Sequence, residues 1–312
     1  MAVAQTSPKR PITRRKFLRN SLIAAAGLAV YAGEIERHFI NVTRHDVQIP
    51  GLPAAFDGAR IAQLSDIHLD EYSEPLFVEH AVNLVNQFNP DFVFLTGDFV
   101  TSGIAPNSFS IGAAWQCAGI LRKLKCAQRY AILGNHDHLV SAIEVTHALS
   151  DNGIPVLFNA CKAIERGASR LWLAGLDDAL EGAPRPDLAI PPSIRGVANE
   201  PVILLCHAPD YADTLVAGGT GKYISLMLSG HTHGGQVRIP FLGAVNLPAM
   251  GQHYVEGWFR LGTMQLHVNR GLGTVGLPFR FNCPPEISVI TLHTAPERNQ
   301  AALHAGPPSS LL

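Results

Sequence analysis

Five short apolar runs, each ending in side chains that can ligate a metal, constrain this chain more than any other feature. Arg60-Ile61-Ala62-Gln63-Leu64-Ser65 ends in Asp66-Ile67-His68, and Phe92-Val93-Phe94-Leu95-Thr96 ends in Gly97-Asp98. Tyr130-Ala131-Ile132-Leu133 ends in Gly134-Asn135-His136-Asp137, and Val202-Ile203-Leu204-Leu205-Cys206 ends in His207. Ile224-Ser225-Leu226-Met227-Leu228-Ser229 ends in Gly230-His231-Thr232-His233. Runs of this length predict strands. Their hydrophobicity is continuous rather than alternating, which argues for strands covered on both faces. Helical patterns fall between them, at residues 76–88, stopped by Asn89-Pro90, and at residues 141–149, stopped before Asn152-Gly153. The pattern predicts an α/β fold with its site in the loops beyond the carboxyl ends of the strands.

The remaining segments are less marked. Residues 33–57 form a lead-in with an expected edge strand at 45–49, and residues 171–175 predict a further core strand. Residues 177–200 are rich in Pro and Gly and predict a loop, and residues 99–116 are likewise expected as loop. From 237 to 292 short runs alternate with glycine turns, which predicts a second, more antiparallel sheet. The tail 295–312, ending in Gly306-Pro307-Pro308-Ser309-Ser310, is expected to be disordered. With 312 residues, 47% of them apolar, the chain can bury one large core. Charged residues are 16% and the net charge is −1, which excludes a nucleic-acid footprint.

That average hides an asymmetry. Residues 1–32 hold six basic residues, Lys9, Arg10, Arg14, Arg15, Lys16 and Arg19, and no acidic one. The rest carries 18 Lys+Arg against 25 Asp+Glu, a net of about −7. A basic head followed by an apolar stretch is the pattern of an export segment. Thr13-Arg14-Arg15-Lys16-Phe17-Leu18-Arg19 resembles a bacterial twin-arginine signal, so the export machinery of that route is an expected partner. The apolar stretch 22–31 is short against the roughly 20 residues of a bilayer span. Residues 1–32 are therefore read as a signal cleaved after Ala32 or as a retained N-terminal anchor, and the protein as exported or membrane-associated on the cell-envelope side.

In chain order the candidate donors are Asp66, His68, Asp98, Asn135, His136, His207, His231 and His233. All offer N or O, and none is a thiolate. Even with His136 set aside, seven ligands exceed what one ion can use while leaving room for a substrate, so two divalent ions are expected, drawn from Mn, Fe and Zn. A carboxylate such as Asp98 can bridge them. Two such ions, about 3.5–4 Å apart, can hold a hydroxide for in-line attack on a phosphoester. His136 is expected to serve the leaving group, with Asp137 orienting it. Asp70 and Glu71 are expected as loop acids, with a supporting role to the donors as the alternative. His80, His138, His147, His253, His267 and His293 carry no motif and are expected to be surface or packing residues. Arg270 is as well read as a turn residue as a phosphate contact. Five cysteines form no CxxC pair, and a Cys117–Cys126 bridge is not favoured.

The blocks Asp-x-His, Gly-Asp, Gly-Asn-His-Asp, a lone His and Gly-His-Thr-His, in this order, resemble the calcineurin-like metallophosphoesterases, in their exported bacterial branch. The resemblance covers residues 58–294 and implies a four-layer α/β/β/α sandwich. It implies one ion on Asp66, His68 and His233, another on Asn135, His207 and His231, Asp98 between them, and His136 at the phosphate. It implies a phosphodiesterase acting on a phosphoester substrate, a lipid-linked one included. A pyrophosphatase cleaving UDP-2,3-diacylglucosamine and a non-catalytic scaffold are the alternatives.

Overall fold

Side chains alternate along the central strands between two separate cores, and that alternation sets the layers. The computed structural model describes residues 13–70, 73–103 and 107–295. Lys9 and Arg10, Glu71 and the expected tail from 296 onward lie outside the described residues. The helices are α1 (Arg14–Val30), α2 (Pro75–Phe88), α3 (Asn107–Leu121), α4 (Asn135–Asp151), α5 (Pro186–Ala189) and α6 (Tyr211–Ala217). The strands of the first half are β1 (Asn41–Ile49), β2 (Arg60–Leu64), β3 (Phe92–Leu95), β4 (Arg129–Ala131), β5 (Ala160–Arg166) and β6 (Ser169–Gly175). The second half adds β7 (Val202–Leu205), β8 (Leu226–Ser229), the two-residue strands β9 (Arg238–Ile239) and β10 (Gly243–Ala244), β11 (Gly257–Leu261), β12 (Met264–Val268) and β13 (Glu286–Thr294).

Sheet one runs β1-β13-β2-β3-β4, and sheet two runs β11-β12-β8-β7-β6-β5. In β2 and β3, Ile61, Phe92 and Phe94 point into an inner core shared with Ile203 and Leu205 of β7 and Leu226 and Leu228 of β8. Their neighbours Ala62, Leu64, Val93 and Leu95 point the other way, onto Val78, Val82 and Val85 of α2 and onto α3 and α4. In sheet two, Val202, Leu204 and Met227 pack outward against Ala212 and Leu215 of α6 and Ala189 of α5. The layers are therefore helices, sheet one, sheet two, helices. Each strand buries both faces, which is why its sequence is apolar without alternation.

Three expectations need correction. Apart from the two-stranded β9–β10 hairpin, residues 237–292 do not build a sheet of their own. β11 and β12 complete sheet two, while β13 enters sheet one, parallel to β1 and antiparallel to β2. With Ile287 in the outer core and Ile290 and Leu292 in the inner one, β13 needs a covered interior position. Residues 99–116, expected as loop, contain the start of α3, whose small and apolar residues show no polar face. α4 begins at Asn135, well before 141, and is kinked at Ser141, whose backbone is extended. The edge strand β1 is in place and starts at Asn41. All five cysteines are free.

Candidate metal centre

The candidate donors lie just past the carboxyl ends of β2, β3, β4, β7 and β8. Asp66 (φ 49°), His68 (47°), Asp98 (56°), His231 (72°) and His233 (51°) all have left-handed backbone. A non-glycine residue in that region costs about 1–3 kcal/mol and persists only where surroundings impose it. Five such residues in one cluster mark a geometry built for something other than stability.

The loops are tied to one another. Asp66 N–H donates to Gly97 O and His68 N–H to Asp98 O (2.9 and 3.0 Å). His231 N–H donates to both oxygens of Asp66 (2.9 and 3.0 Å). His136 N–H donates to Asp98 Oδ1 (2.9 Å). Gly134 is required at its position: a Cβ there would collide with the Asp98 carboxylate and lie 2.7 Å from His207 Nε2.

Asp66, His68 and His233 form one group of converging donor atoms, and Asp98, His207 and His231 form another. Asp98 links the two. Its Oδ2 is 3.5 Å from His68 Nε2 and 3.2 Å from His207 Nε2. Asp98, Asn135, His136, His231 and His233 line one open cavity of about 290 Å³. Five of the eight candidate donors thus line a single pocket, Asp66, His68 and His207 lie buried against them, and α4 points its first turn into it.

Backbone partners fix several ring tautomers. His207 Nδ1 donates to Thr96 O and His231 Nε2 donates to Ala249 O, each at 2.7 Å. Neutral His207 therefore turns a lone pair on Nε2 toward a carboxylate, and that buried nitrogen has no hydrogen-bond partner. Two acceptors face each other, and only a cation between them resolves the clash. Without a metal a proton is the available cation. Burial pushes His207 down, but the charge of Asp98 outweighs it and lifts the imidazole well above its ordinary range. Burial likewise pushes Asp98 up, but His207 and His68 hold the carboxyl well below its usual range. Asn135 Oδ1 is also buried without a partner. Orphaned N and O acceptors around two carboxylates, with no thiolate, fit divalent ions. The group around His233 is equally close, with His233 Nε2 standing 3.5 Å from Asp66 Oδ1. The same nitrogen lies 3.1 Å from His68 Nε2, and Arg280 Nη2 stands 3.4 Å from Nδ1 of His233.

His136 is oriented differently from expectation. Asp137 does not touch its ring. The carboxylate of Asp137 accepts N–H bonds from Asp98, Phe99 and Gly134 (2.8, 2.8 and 2.9 Å), clamping two donor loops together. Ser102 instead holds His136, its N–H donating to Nδ1 at 3.1 Å, with its hydroxyl 2.9 Å away. Nδ1 therefore accepts, and the ring proton sits on Nε2. Burial, aided by His68, His207 and His231 and opposed by Asp98, pushes His136 down to about 4. It is a neutral donor at pH 7.

Other supporting residues escaped sequence reasoning. The Thr101 hydroxyl donates to Asp70 Oδ2 (2.6 Å), so its oxygen receives His68 Nδ1–H (3.2 Å). Asp70 is thus a support for a donor, the alternative reading. Such outer partners set ring orientation and basicity. Arg280, fully buried, binds the carbonyls of Arg270, Gly271, Gly273 and Cys283 behind His233. It is the only charge between Arg270 and Glu286, the one sign that it had a task. Arg270 itself pairs with Glu286 (3.1 Å). His138 pairs with Asp177 at 2.8 Å, and His267 is buried on Gln63 Oε1 (3.0 Å).

Known proteins resemble this chain closely enough to assign it. Residues 59–235 match the model of the calcineurin-like phosphoesterase family. The chain is 33% identical to the metallophosphoesterase YkuE of Bacillus subtilis over 293 residues, 91% of this chain and 98% of that one. It is 30% identical to the phosphodiesterase YaeI of Escherichia coli over 290 residues, 90% and 99% of the two chains. It is also 30% identical to a transmembrane protein with a metallophosphoesterase domain from Danio rerio, over 88% of this chain and 62% of that one. The chain therefore belongs to the calcineurin-like phosphoesterase family and is a phosphoester hydrolase of that metal-dependent class.

Proposed function

We propose that the chain is a phosphodiesterase that works with two divalent ions at the cell envelope. The observation that carries this reading is the position of Asp98, whose Oδ2 stands between His68 of one donor group and His207 of the other. Asp66, His68 and His233 would hold one ion, and Asn135, His207 and His231 the other, with Asp98 shared. The N/O donor set suits Mn, Fe or Zn. When bound, such ions supply an acidified water and neutralise charge on the phosphate oxygens. The chain does the rest. His136, neutral and carrying its proton on Nε2, donates to the phosphate or to the departing oxygen. Ser102 keeps that proton on the pocket side, and the first turn of α4 adds N–H groups favourable to an anion.

The name of YaeI, a relative at 30% identity, supports the diester preference. The pocket mouth is walled by Val237, Val245, Val275 and Leu277, which supports an amphiphilic, lipid-linked diester. The same apolar wall favours, as a second reading, pyrophosphate cleavage in a UDP-linked diacylglucosamine. The basic segment around Arg14-Arg15 supports export by the twin-arginine route and work on the envelope side, as a cleaved or anchored form. A scaffold role is disfavoured because every donor is present.

The test is hydrolysis of bis(p-nitrophenyl) phosphate with added Mn²⁺, Fe²⁺ or Zn²⁺, before and after chelation. Chelator-sensitive turnover is expected. No turnover with any of these ions would leave the scaffold reading standing. Comparing the chromogenic diester with a lipid-linked diester and a UDP-linked lipid separates the two substrate readings.

A further inference from the structure

The polar pocket opens through an apolar rim. Val245 and Leu277, which line the pocket, are 63% and 68% exposed, and Phe241 and Leu242, at the tip of the β9–β10 hairpin that leads into Val245, are 107% and 81% exposed. Single exposed apolar side chains are ordinary, but a group flanking one opening marks a contact surface. The rim is also fixed in place. The Gln236 amide reaches across it, donating to Val275 O and Leu277 O (3.1 and 3.0 Å) and accepting from Val275 N–H (2.8 Å). Phe241 is held at φ 69°, a backbone state a bulky residue rarely adopts, with its ring in solvent.

α1 is rooted at the same edge. Arg280 N–H donates to Ala32 O (3.0 Å), and the rings of Tyr31 and Phe281 meet edge-on at 6.5 Å. Phe281 in turn bridges to Val237, at the base of the hairpin. α1 buries none of its residues, exposes Phe17, Leu18, Leu22 and Ile23, and carries Arg14, Arg15, Lys16 and Arg19 with no acidic residue. Among the described residues no helix is long and apolar enough to cross a membrane.

We propose that the rim and α1 form one surface that docks on an anionic lipid bilayer, with the pocket mouth toward the headgroups. Apolar tips beside a helix with a basic head and exposed apolar side chains combine the two terms of interfacial binding, buried apolar area and attraction to anionic lipid. Charge selects the bilayer over a second copy of the chain, because two copies meeting at this face would oppose their basic helices. The inference rests on the proposed function only in taking this pocket as the site. Amphiphilic phosphoesters then reach it without leaving the lipid.

Vesicle flotation tests this with the full chain and vesicles of phosphatidylglycerol and phosphatidylethanolamine, read without turnover. Failure of the catalytic reading therefore leaves the flotation result interpretable. The wild-type chain is expected to float, more weakly at high salt. The double variant F241D/L242D, and independently L277D, should lower the bound fraction roughly tenfold or more. Ile143→Asp, an equally exposed apolar position on α4, should not change it. Unchanged melting checks the fold of each variant. Floating of both rim variants like wild type would overturn the proposal, as would binding lost only on deleting residues 1–30. A rim-dependent dimer in sedimentation, with no vesicle binding, would overturn it in favour of a second copy.

Discussion

Replacing Gly134 with alanine adds one methyl group at the tightest point between the two donor groups. The backbone there, φ −108° and ψ −178°, is open to any residue, so the substitution carries no conformational penalty. The added Cβ would lie 2.7 Å from His207 Nε2 and 2.8 Å from Asp98 Cγ, where ordinary contact starts at 3.4 Å. His207 would have to retreat by about 0.7 Å. It has little room, being buried with Nδ1 held to Thr96 O at 2.7 Å. Overpacking of this kind costs about 1–3 kcal/mol of stability. Displacing a donor shell weakens metal affinity roughly 10–100-fold, and a misplacement near 1 Å can cost about 10²-fold in rate. Gly134→Ala is therefore expected to fold, to melt several degrees lower, to lose bound metal on dialysis, and to show kcat/KM down by about 10². Metal analysis, calorimetry and diester hydrolysis on one preparation measure all of these. Gly119→Ala, in the open middle of α3, makes the same chemical change with nothing within 4 Å. It should stabilise by about 0.4–1 kcal/mol and leave metal and rate alone. Full metal occupancy and wild-type rate in Gly134→Ala would show that Asp98 and His207 do not face each other as described.

Three other changes probe separate parts of the centre and the core. Asp98→Ala should abolish metal binding and hydrolysis together, and two ions retained on elemental analysis would remove Asp98 from between the groups. His136→Ala should keep its metal yet lower kcat by roughly 10²–10⁴ on a substrate with a poor leaving group, and an unchanged kcat there would rule out its donor role. Burial pushes His267 down to about 4 from an ordinary 6.5, with His45 and Arg270 helping and Glu286 opposing. The unfolded chain takes up a proton below about 6.5 and the folded chain only near 4, so stability present above 6.5 is lost as pH falls through that window, by up to about 3 kcal/mol. His267→Asn, which can still donate to Gln63, should flatten that loss in urea titrations of the metal-free protein between pH 7.5 and 4.5. An unaltered slope would place the acid sensitivity elsewhere.

The donor positions were legible because each is adjacent in sequence to the strand that carries it. Ile61 to Leu64 and Val202 to Leu205 bury both faces, so their apolar runs end where the covering layers end, and a polar residue at that point stands out. What sequence could not give was distance. β13 enters sheet one between β1 and β2 by pairings more than two hundred residues apart, and no local pattern encodes that. α3 escaped because it is apolar and small on every side, leaving no stripe to detect. Asp137 lies three residues past Gly134 and accepts its N–H, so it was readable as a helix start rather than as a partner of His136. Ser102 and Arg280 lie in stretches without periodicity, where nothing local announces what they hold.

Each donor group takes residues from both sheets: Asp66 and His68 with His233, and Asp98 with His207 and His231. Neither half of the polypeptide therefore completes either of these two groups by itself. Ion uptake at these two groups would have to wait until the halves have met, and a captured ion would rivet them. A metal-sensitive dye followed during refolding would clock the moment of sheet-to-sheet docking, and amide exchange near the ends of β2 and β8 should quicken when the rivets are withdrawn.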